Sequence, residues 1–424
     1  MSWQESFQNF KNYSTLDSIK ASEERQKAFE NFMAAGLPTK KEEAWKFTSL
    51  SDFKSTEWKS HSDEETHLTH EQMQELSKKL PSEFTNFVFV NGVLNLTLSD
   101  DTDSLIEVQE LQADDIIFDN QHIEQRLLNL SQAFLNKKVL ISVSKFKTLE
   151  KPVQILFVQA SKNPVYSSES FVVRLEENSE AKIILNSVSF AQSSADAINL
   201  NVKVELQKNA RLNLIQLQNE DLQSYHFSQV SIELASSASL TTLAMSLGNK
   251  LIRNFYSLKF TGENAQANVY GLSVLDADQH VDNYTFIQHL IGHNQSVQHY
   301  KSILSGSAHS VFRGRVLIAP NAQKANSEQL NNNLLLTRTA QVETIPQLEI
   351  FADDVKAGHG ATVGQLNKDE IFYFLSRGID QYQAVKMLSY GFAKELVYKI
   401  ENEAVQNYLI AALNQKLEKM VQHA

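Results

Sequence analysis

NSEAKIIL (178–185), KNARLNLIQL (208–217), SSASLTTL (236–243), ENAQANV (263–269) and SAHSVFRG (307–314) each open on a small or polar phrase and run into a short apolar or alternating segment. Taking Ser179, Ala210, Ala238, Ala265 and Asn294 as equivalent positions gives steps of 31, 28, 27 and 29 residues. Short alternating runs are the mark of strands, and more of them follow in VLISV (139–143), VQILFV (153–158), FVVRL (171–175), VKVEL (202–206), VSIEL (230–234), FYSLKF (255–260) and QLEI (347–350). A loose period near 28 suits a parallel β-helix, whose coils bury their apolar faces by stacking on one another. A large β-sandwich is the rival, because its strands also recur every 8 to 12 residues or so. The turn chemistry favours the coil. Of 32 Asn, 19 lie between residues 150 and 350, and Asn is the residue besides Gly that most readily takes the left-handed backbone of a tight corner. Sandwich turns would call for more Gly and Pro than the 13 and 6 in this chain of 424 residues.

Outward from this region the period changes. Residues 1–80 read as mostly helical: Arg25, Ala28, Phe29, Phe32 and Met33 recur at helical spacing after Ser22, an N-cap candidate, and Gly36 with Pro38 stops the run. Ser55 to Thr69 is polar and aperiodic and reads as a mobile surface loop, and a second helix is expected over Glu71 to Leu80. In the mixed strand and helix region 81–139, Phe87 and Phe89 face Val93, Leu94 and Leu96 across Asn91-Gly92, a hairpin signal, and a short helix follows around Gln125 to Leu135. The β core is expected over 140–364. From 365 to 424 the helical period returns, with Asn367 and Asp380 as caps and Gly391 between two segments, so that helices would cap both ends of a β body.

The formal net charge is −11 and the sequence pI near 5.6, with no Lys/Arg-rich block, which disfavours nucleic acid as a partner. No apolar run is long enough to span a bilayer, and the first residues, MSWQESFQNF, lack the basic and apolar regions of a secretory signal, so a soluble cytoplasmic protein is expected. There is no Cys. That removes disulfides, thiolate metal sites, cysteine nucleophiles and any self-contained four-thiolate cluster.

Several enzyme signatures are absent. Gly358, Gly360 and Gly364 are spaced one residue too long for a dinucleotide fingerprint, no GK[ST] follows, and neither HExxH nor GxSxG occurs. A carbohydrate-active β-helix enzyme would need clustered acids facing one groove, and Asp276, Asp278 and Asp282 are the one close set. Histidines gather at His280, His289, His293, His299 and His309, and the step of 29 between His280 and His309 puts them on adjacent coils, where stacked imidazoles can ligate a transition metal. His61, His67 and His70, in the polar loop, read as solvated side chains. In PQLEIFADDVKAGHGATVGQL (346–366), Asp353 and Asp354 end a strand and His359 sits between two glycines that let the backbone turn sharply and present the ring to something large. A neutral imidazole is a competent iron ligand; the plainer reading is a turn histidine bonded to a local carboxylate.

The run NNNLLLTRTAQVETIPQLEIFADDVKAGHGATVGQL (331–366), the downstream FYFLSRGI and AVKMLSYGFAKEL, and the upstream GLPTKKEEAWKFTSL (36–50) resemble the SufB/SufD family of iron-sulfur cluster assembly proteins. The resemblance implies a right-handed parallel β-helix between helical segments. It further implies a non-catalytic subunit that pairs with a SufB-like subunit, or with itself when alone, and docks a SufC-like ABC-type ATPase through its C-terminal helices. By the same resemblance, the cluster-building site lies at the junction, with His359 as this chain's iron or cluster ligand beside a thiol and a carboxylate of the partner. A cluster or iron would be held there transiently, and none stably by this chain alone. Many relatives carry Cys where this chain has Ala357, so no role of that thiol transfers. Strands near Leu334 to Leu336 and Leu348 to Ile350 are expected to form the pairing edge. Met387, Leu388, Tyr390 and Phe392, in the helices from Asp380 to Ile400, are the expected ATPase anchors. The alternative is a self-associating β-helix scaffold that binds iron through its own histidines.

Overall fold

A computed structural model describes residues 3–13, 19–60, 68–101, 106–111, 124–135, 138–161, 163–190 and 195–421. From Val153 to Gly364 successive strands alternate between two sheets, and each strand between Val165 and Leu335 pairs in parallel with the strand two before it and two after it. The result is a parallel β-solenoid of about seven turns, and the sandwich reading is set aside. One sheet runs through Val165–Leu175, Asp196–Leu206, Tyr225–Leu234, Leu251–Phe260, His280–His289 and His309–Ile318 to Gln341–Ile350. The other runs through Glu180–Ser189, Arg211–Asn219, Ser239–Ser246, Gln266–Leu275, Gln295–Leu304 and Asn326–Leu335 to Lys356–Gly364.

The five positions aligned from the sequence are stacked. Backbone N–H groups of Arg211, Ser239, Gln266 and Gln295 donate to the carbonyls of Ser179, Ala210, Ala238 and Ala265 at 2.9–3.0 Å. All five positions are buried, which explains their small side chains. Immediately before them, and before Ala325, stand Asn178, Asn209, Ser237, Asn264, His293 and Lys324, all left-handed with φ of 58–62°. Asn fills half of these corners, as its tolerance of that backbone predicts. His293, grouped above with possible ligands, is therefore a corner residue. SAHSVFRG belongs to the other sheet from the four phrases it was grouped with.

Inside the coils, strand alternation turns Leu212 and Leu214 to the lumen and Ile215 and Leu217 outward. The outward residues are covered by helices. Leu217, Leu243, Leu272 and Val274 pack against Ala393, Leu396, Leu409, Leu413 and Leu417 of the helices Gln381–Val397 and Glu403–Val421. Tyr166, Tyr225, Phe227 and Leu251 of the other sheet pack against Phe7, Phe29, Phe53 and Trp58 of the N-terminal segment. Each such Leu or Phe contributes about 1.5–3 kcal/mol by leaving water. The helices thus cover two faces of the β body, not its ends as the sequence order suggested.

Local expectations divide. The Asn91-Gly92 hairpin is present, with φ of 46° and 87° between Thr85–Val90 and Val93–Leu94. Gly36 ends the helix Ile19–Ala35 at φ 67°, its N–H bonding Phe32 O at 2.7 Å. Ser22 lies inside that helix and is not its cap. The expected loop after Ser55 contains the buried Trp58 and a short strand, Lys59–Ser60, paired with Val165–Tyr166. His61 and His67 lie outside the described residues. His70 opens the helix His70–Ser77, behind a reciprocal Thr69/Gln72 capping box. Asn367 and Asp380 cap their helices through the N–H groups of Asp369 and Gln383.

Candidate functional site

The solenoid stops at Gln341–Ile350 in one sheet and Lys356–Gly364 in the other, and among the described residues neither has a strand on its outer side. His359 lies on the second of these, in register with Gln329. Gln329 is 1% exposed and crosses the lumen to Gly314, so His359 shares the lumen-facing side of its strand. With no coil above it the imidazole is exposed. Gly358 and Gly360 make no turn here. Both are within the strand and neither has a positive φ. Their contribution is missing bulk: a Cβ at Gly358 would meet nothing within 4 Å, and one at Gly360 would come 3.3 Å from Leu330 Cδ2.

Around this edge the apolar side chains of Leu330, Ile350, Phe351 and Val363 are exposed, Phe351 by 63%. Leu334 sits one strand in and is buried beneath the C-terminal helices, so of the two stretches expected at the edge only Leu348 to Ile350 lies on a terminal strand. Asp353 and Asp354 come after that strand has ended, in the corner. Asp354 is tied back to Lys324 by an ion pair and by the Lys324 N–H on its carbonyl at 2.6 Å. Neither acid bonds the His359 ring among the described residues, which leaves the ring as one nitrogen donor.

The other histidines are occupied. His280 and His309 do lie on adjacent coils, ring centroids 4.8 Å apart. His280 Nε2 is 3.0 Å from Thr48 Oγ1, and burial, with His309 and nearby cations adding, holds its pKa down at about 3. Burial also lowers His309. His289 points into the lumen against Phe260, 2.8 Å from Ser296 Oγ, and burial takes it down to about 4. His299 bonds Asn332 Oδ1 at 2.7 Å and is lowered chiefly by burial. These are neutral rings, three of them hydrogen-bonded, while His309 Nε2 is buried with no partner among the described residues, and among those residues no three His, Asp or Glu side chains are grouped to hold a metal. The acids Asp276 and Asp282 point to different neighbours, Lys416 at 2.7 Å and Arg253 with Thr48, and line no common groove.

On the C-terminal helices, Met387 is exposed, whereas Leu388, Tyr390 and Phe392 are partly buried. Tyr390 and Phe392 pack on the solenoid, and Lys301 lies over the Phe392 ring at 4.4 Å while bonding Phe392 O at 3.0 Å. The open apolar surface is instead the helix Lys368–Leu375, none of whose residues is buried. There Phe372, Tyr373 and Leu375 are 70%, 54% and 42% exposed. The sequence signal for it was the unbroken IFYFL run (371–375), which has no polar side to turn to water.

Residues 157–392 match the family model described as SUF system FeS cluster assembly, SufBD core domain. The chain is 30% identical to the iron-sulfur cluster assembly protein SufD of Escherichia coli over 95% of this chain and 94% of that one. It is 27% identical to an iron-sulfur cluster assembly SufBD family protein of Synechocystis over 93% and 90%. It is 26% identical to the chloroplastic protein ABCI7 of Arabidopsis thaliana over 95% and 87%.

Proposed function

The chain belongs to the SufBD family and takes part in iron-sulfur cluster assembly in the SUF system, and on that premise we propose that it is a non-catalytic, SufD-type subunit whose open solenoid edge pairs with a SufB-like subunit. The observation that carries this reading is the unfinished edge itself: two parallel strands with no outer partner among the described residues, a rim of exposed Leu330, Ile350, Phe351 and Val363, and one exposed imidazole, His359, in a chain without thiols. Strand addition to such an edge gives main-chain hydrogen bonds worth about 0.5–1.5 kcal/mol each, and the bare backbone at Gly358 and Gly360 leaves room for a second chain to approach. Iron and sulfide held there are cargo. His359 offers one nitrogen ligand to iron, and the thiolates that must complete the set come from the partner. The exposed Phe372, Tyr373 and Met387 favour docking of a SufC-like ATPase on the helix Lys368–Leu375 and the neighbouring turn of the next helix, in which Leu388, Tyr390 and Phe392 are partly buried.

Co-purification with a SufB-like and a SufC-like partner tests the reading. A stable complex is expected, and His359→Ala is expected to leave the complex intact while cluster formation, followed by visible absorbance and acid-labile sulfide, falls at least tenfold. Unchanged cluster yield in the variant complex removes His359 from the site. Failure of the wild-type chain to join the partners removes the pairing itself.

A further inference from the structure

A cavity of about 280 Å³ lies away from the open edge, between the sheet that runs through Leu251–Phe260 and the N-terminal segment that contains GLPTKKEEAWKFTSL. Its floor is aromatic: Phe255, Tyr284 and Phe286 stand on the outer face of the sheet, Phe255 and Tyr284 edge to face at 4.9 Å. Trp45 and Leu127 form the opposite wall. That wall is pinned. Arg253 lies over the Trp45 ring at 4.0 Å, pairs with Asp282 and donates to Ala44 O at 2.9 Å, and Arg313 donates to Glu43 O at 2.8 Å. The sequence motif at 36–50 is thereby fixed over the sheet with a space left beneath it, and nothing in the cluster chemistry uses that space.

The polar groups around the cavity are unbalanced. Its acceptors are engaged: Glu124 Oε2 takes the Trp45 Nε1 hydrogen at 2.8 Å, Glu124 Oε1 takes Arg126 Nε at 2.7 Å, and Gln229 Oε1 takes the Glu124 N–H at 2.9 Å. Donors remain. Arg315 lies over the Phe286 ring at 4.6 Å, gives Nε and Nη2 hydrogens to Glu349 at 2.7 and 2.9 Å and another to the Tyr284 hydroxyl oxygen, which engages three of the five N–H groups a guanidinium carries and leaves two. The Tyr284 hydroxyl lies beside the same guanidinium. A cavity with ring walls, bonded acceptors and spare donors on one cation is complementary to a flat ring that carries an anionic acceptor. We propose that it binds a planar aromatic monoanion, an aryl carboxylate of one or two fused rings, with the ring between Phe255 or Phe286 and Trp45 and the carboxylate on Arg315 and Tyr284.

The probe is 1-naphthoate, with uncharged 1-naphthamide as its control, titrated calorimetrically into the full chain. Saturable binding of the acid in the millimolar range or tighter, with the amide at least about fivefold weaker, is expected for a ligand of this size held partly by charge. Arg315→Gln should weaken the acid about tenfold and leave the amide unchanged. Tyr284→Phe removes one hydroxyl, keeps the ring, and should weaken the acid severalfold with the thermal midpoint unmoved, so the test does not depend on the arginine variant folding. Absence of saturable binding, equal affinity for acid and amide, or an affinity indifferent to both substitutions overturns the proposal.

Discussion

At its amino end the solenoid finishes each sheet with an antiparallel strand, Val93–Leu94 on Thr85–Val90 and Ile106–Leu111 on Lys138–Val143, whereas at its carboxy end Gln341–Ile350 and Lys356–Gly364 stop with no outer partner among the described residues. The lumen differs in the same sense. Near the amino end Phe89, Phe157 and Phe171 fill it in mutual ring contact at 5.4–5.8 Å, beside Gln159 and Glu169, each with one buried oxygen that has no partner among the described residues. Near the carboxy end it holds Gln298, Tyr300, Gln329, Asn333 and Thr344, and each of these has a buried polar atom with no partner among the described residues. An unpaired edge is a liability that folded proteins ordinarily cover. One chain that closes one end and leaves the other bare and polar treats the first as core and the second as surface.

The contrast breaks most visibly under truncation. Phe171→Ala removes the ring that touches both Phe89 and Phe157 and should cost about 3–5 kcal/mol, since neighbours held in a coil cannot collapse into the space. Val363→Ala, on the terminal strand at 51% exposure, should stay within about 0.5 kcal/mol. Urea denaturation of the two variants checks the difference. Comparable losses would mean that the carboxy end is packed as a core.

A titrating group sharpens the contrast. Glu169 is inward-facing in the first coils, and burial pushes its carboxyl up to about 8, so it stays protonated in the folded chain at neutral pH. The unfolded chain ionises the same group near its ordinary value of 4.5. Between those limits the folded state binds the extra proton, so stability falls as pH rises from about 4.5 towards 8. Glu169→Gln should remove that fall, with a gain on the order of 2–4 kcal/mol at pH 8 and little change at pH 5. The neutral amides of the carboxy-terminal lumen contribute no such slope. His280 and His289, held at about 3 and 4, act in the other direction: the unfolded chain protonates them near 6.5, so stability declines as pH drops through that value.

How much of the fold and the site is legible in the sequence follows from what each residue is for. The spacing of Ser179, Ala210, Ala238, Ala265 and Asn294 is legible because a corner that stacks on corners takes either a small side chain or, at Asn294, an amide bonded to the Gly262 and Ala265 backbone, and that demand repeats once per coil. The same arithmetic put His280 over His309. The helices were legible as helices, but which face of the β body they would cover depends on outward residues such as Ile215 and Leu217, whose direction is fixed only once the register is known. His359 is legible through the phrase around it, but the strand position of its two glycines is not. A glycine serves equally for a positive φ or for the absence of a side chain, and the sequence does not separate the two uses. The exposure of Phe372 and Tyr373 is not legible in their phrase, because hydrophobicity records what a residue prefers and not where the fold leaves it.

The smallest effect separates two glutamines of the lumen by sign. Gln216 accepts the Tyr256 hydroxyl at 2.7 Å and donates to Ser228 Oγ at 2.8 Å, so Gln216→Leu strands two buried partners and should cost about 1–3 kcal/mol. Gln329 is equally buried, but neither of its amide atoms has a partner among the described residues. Gln329→Leu strands nothing and exchanges an unmade pair of hydrogen bonds for apolar contact, so it should be neutral or stabilising by about 1 kcal/mol. An unpartnered buried amide where an apolar side chain would be more stable points to a role outside folding, and Gln329 is the residue in register beneath His359. Its leucine variant should therefore lose cluster yield in the assembled complex while gaining or keeping its denaturation midpoint. A variant that loses both would show that the amide belongs to the core after all, and that the polar lumen begins no earlier than the exposed edge.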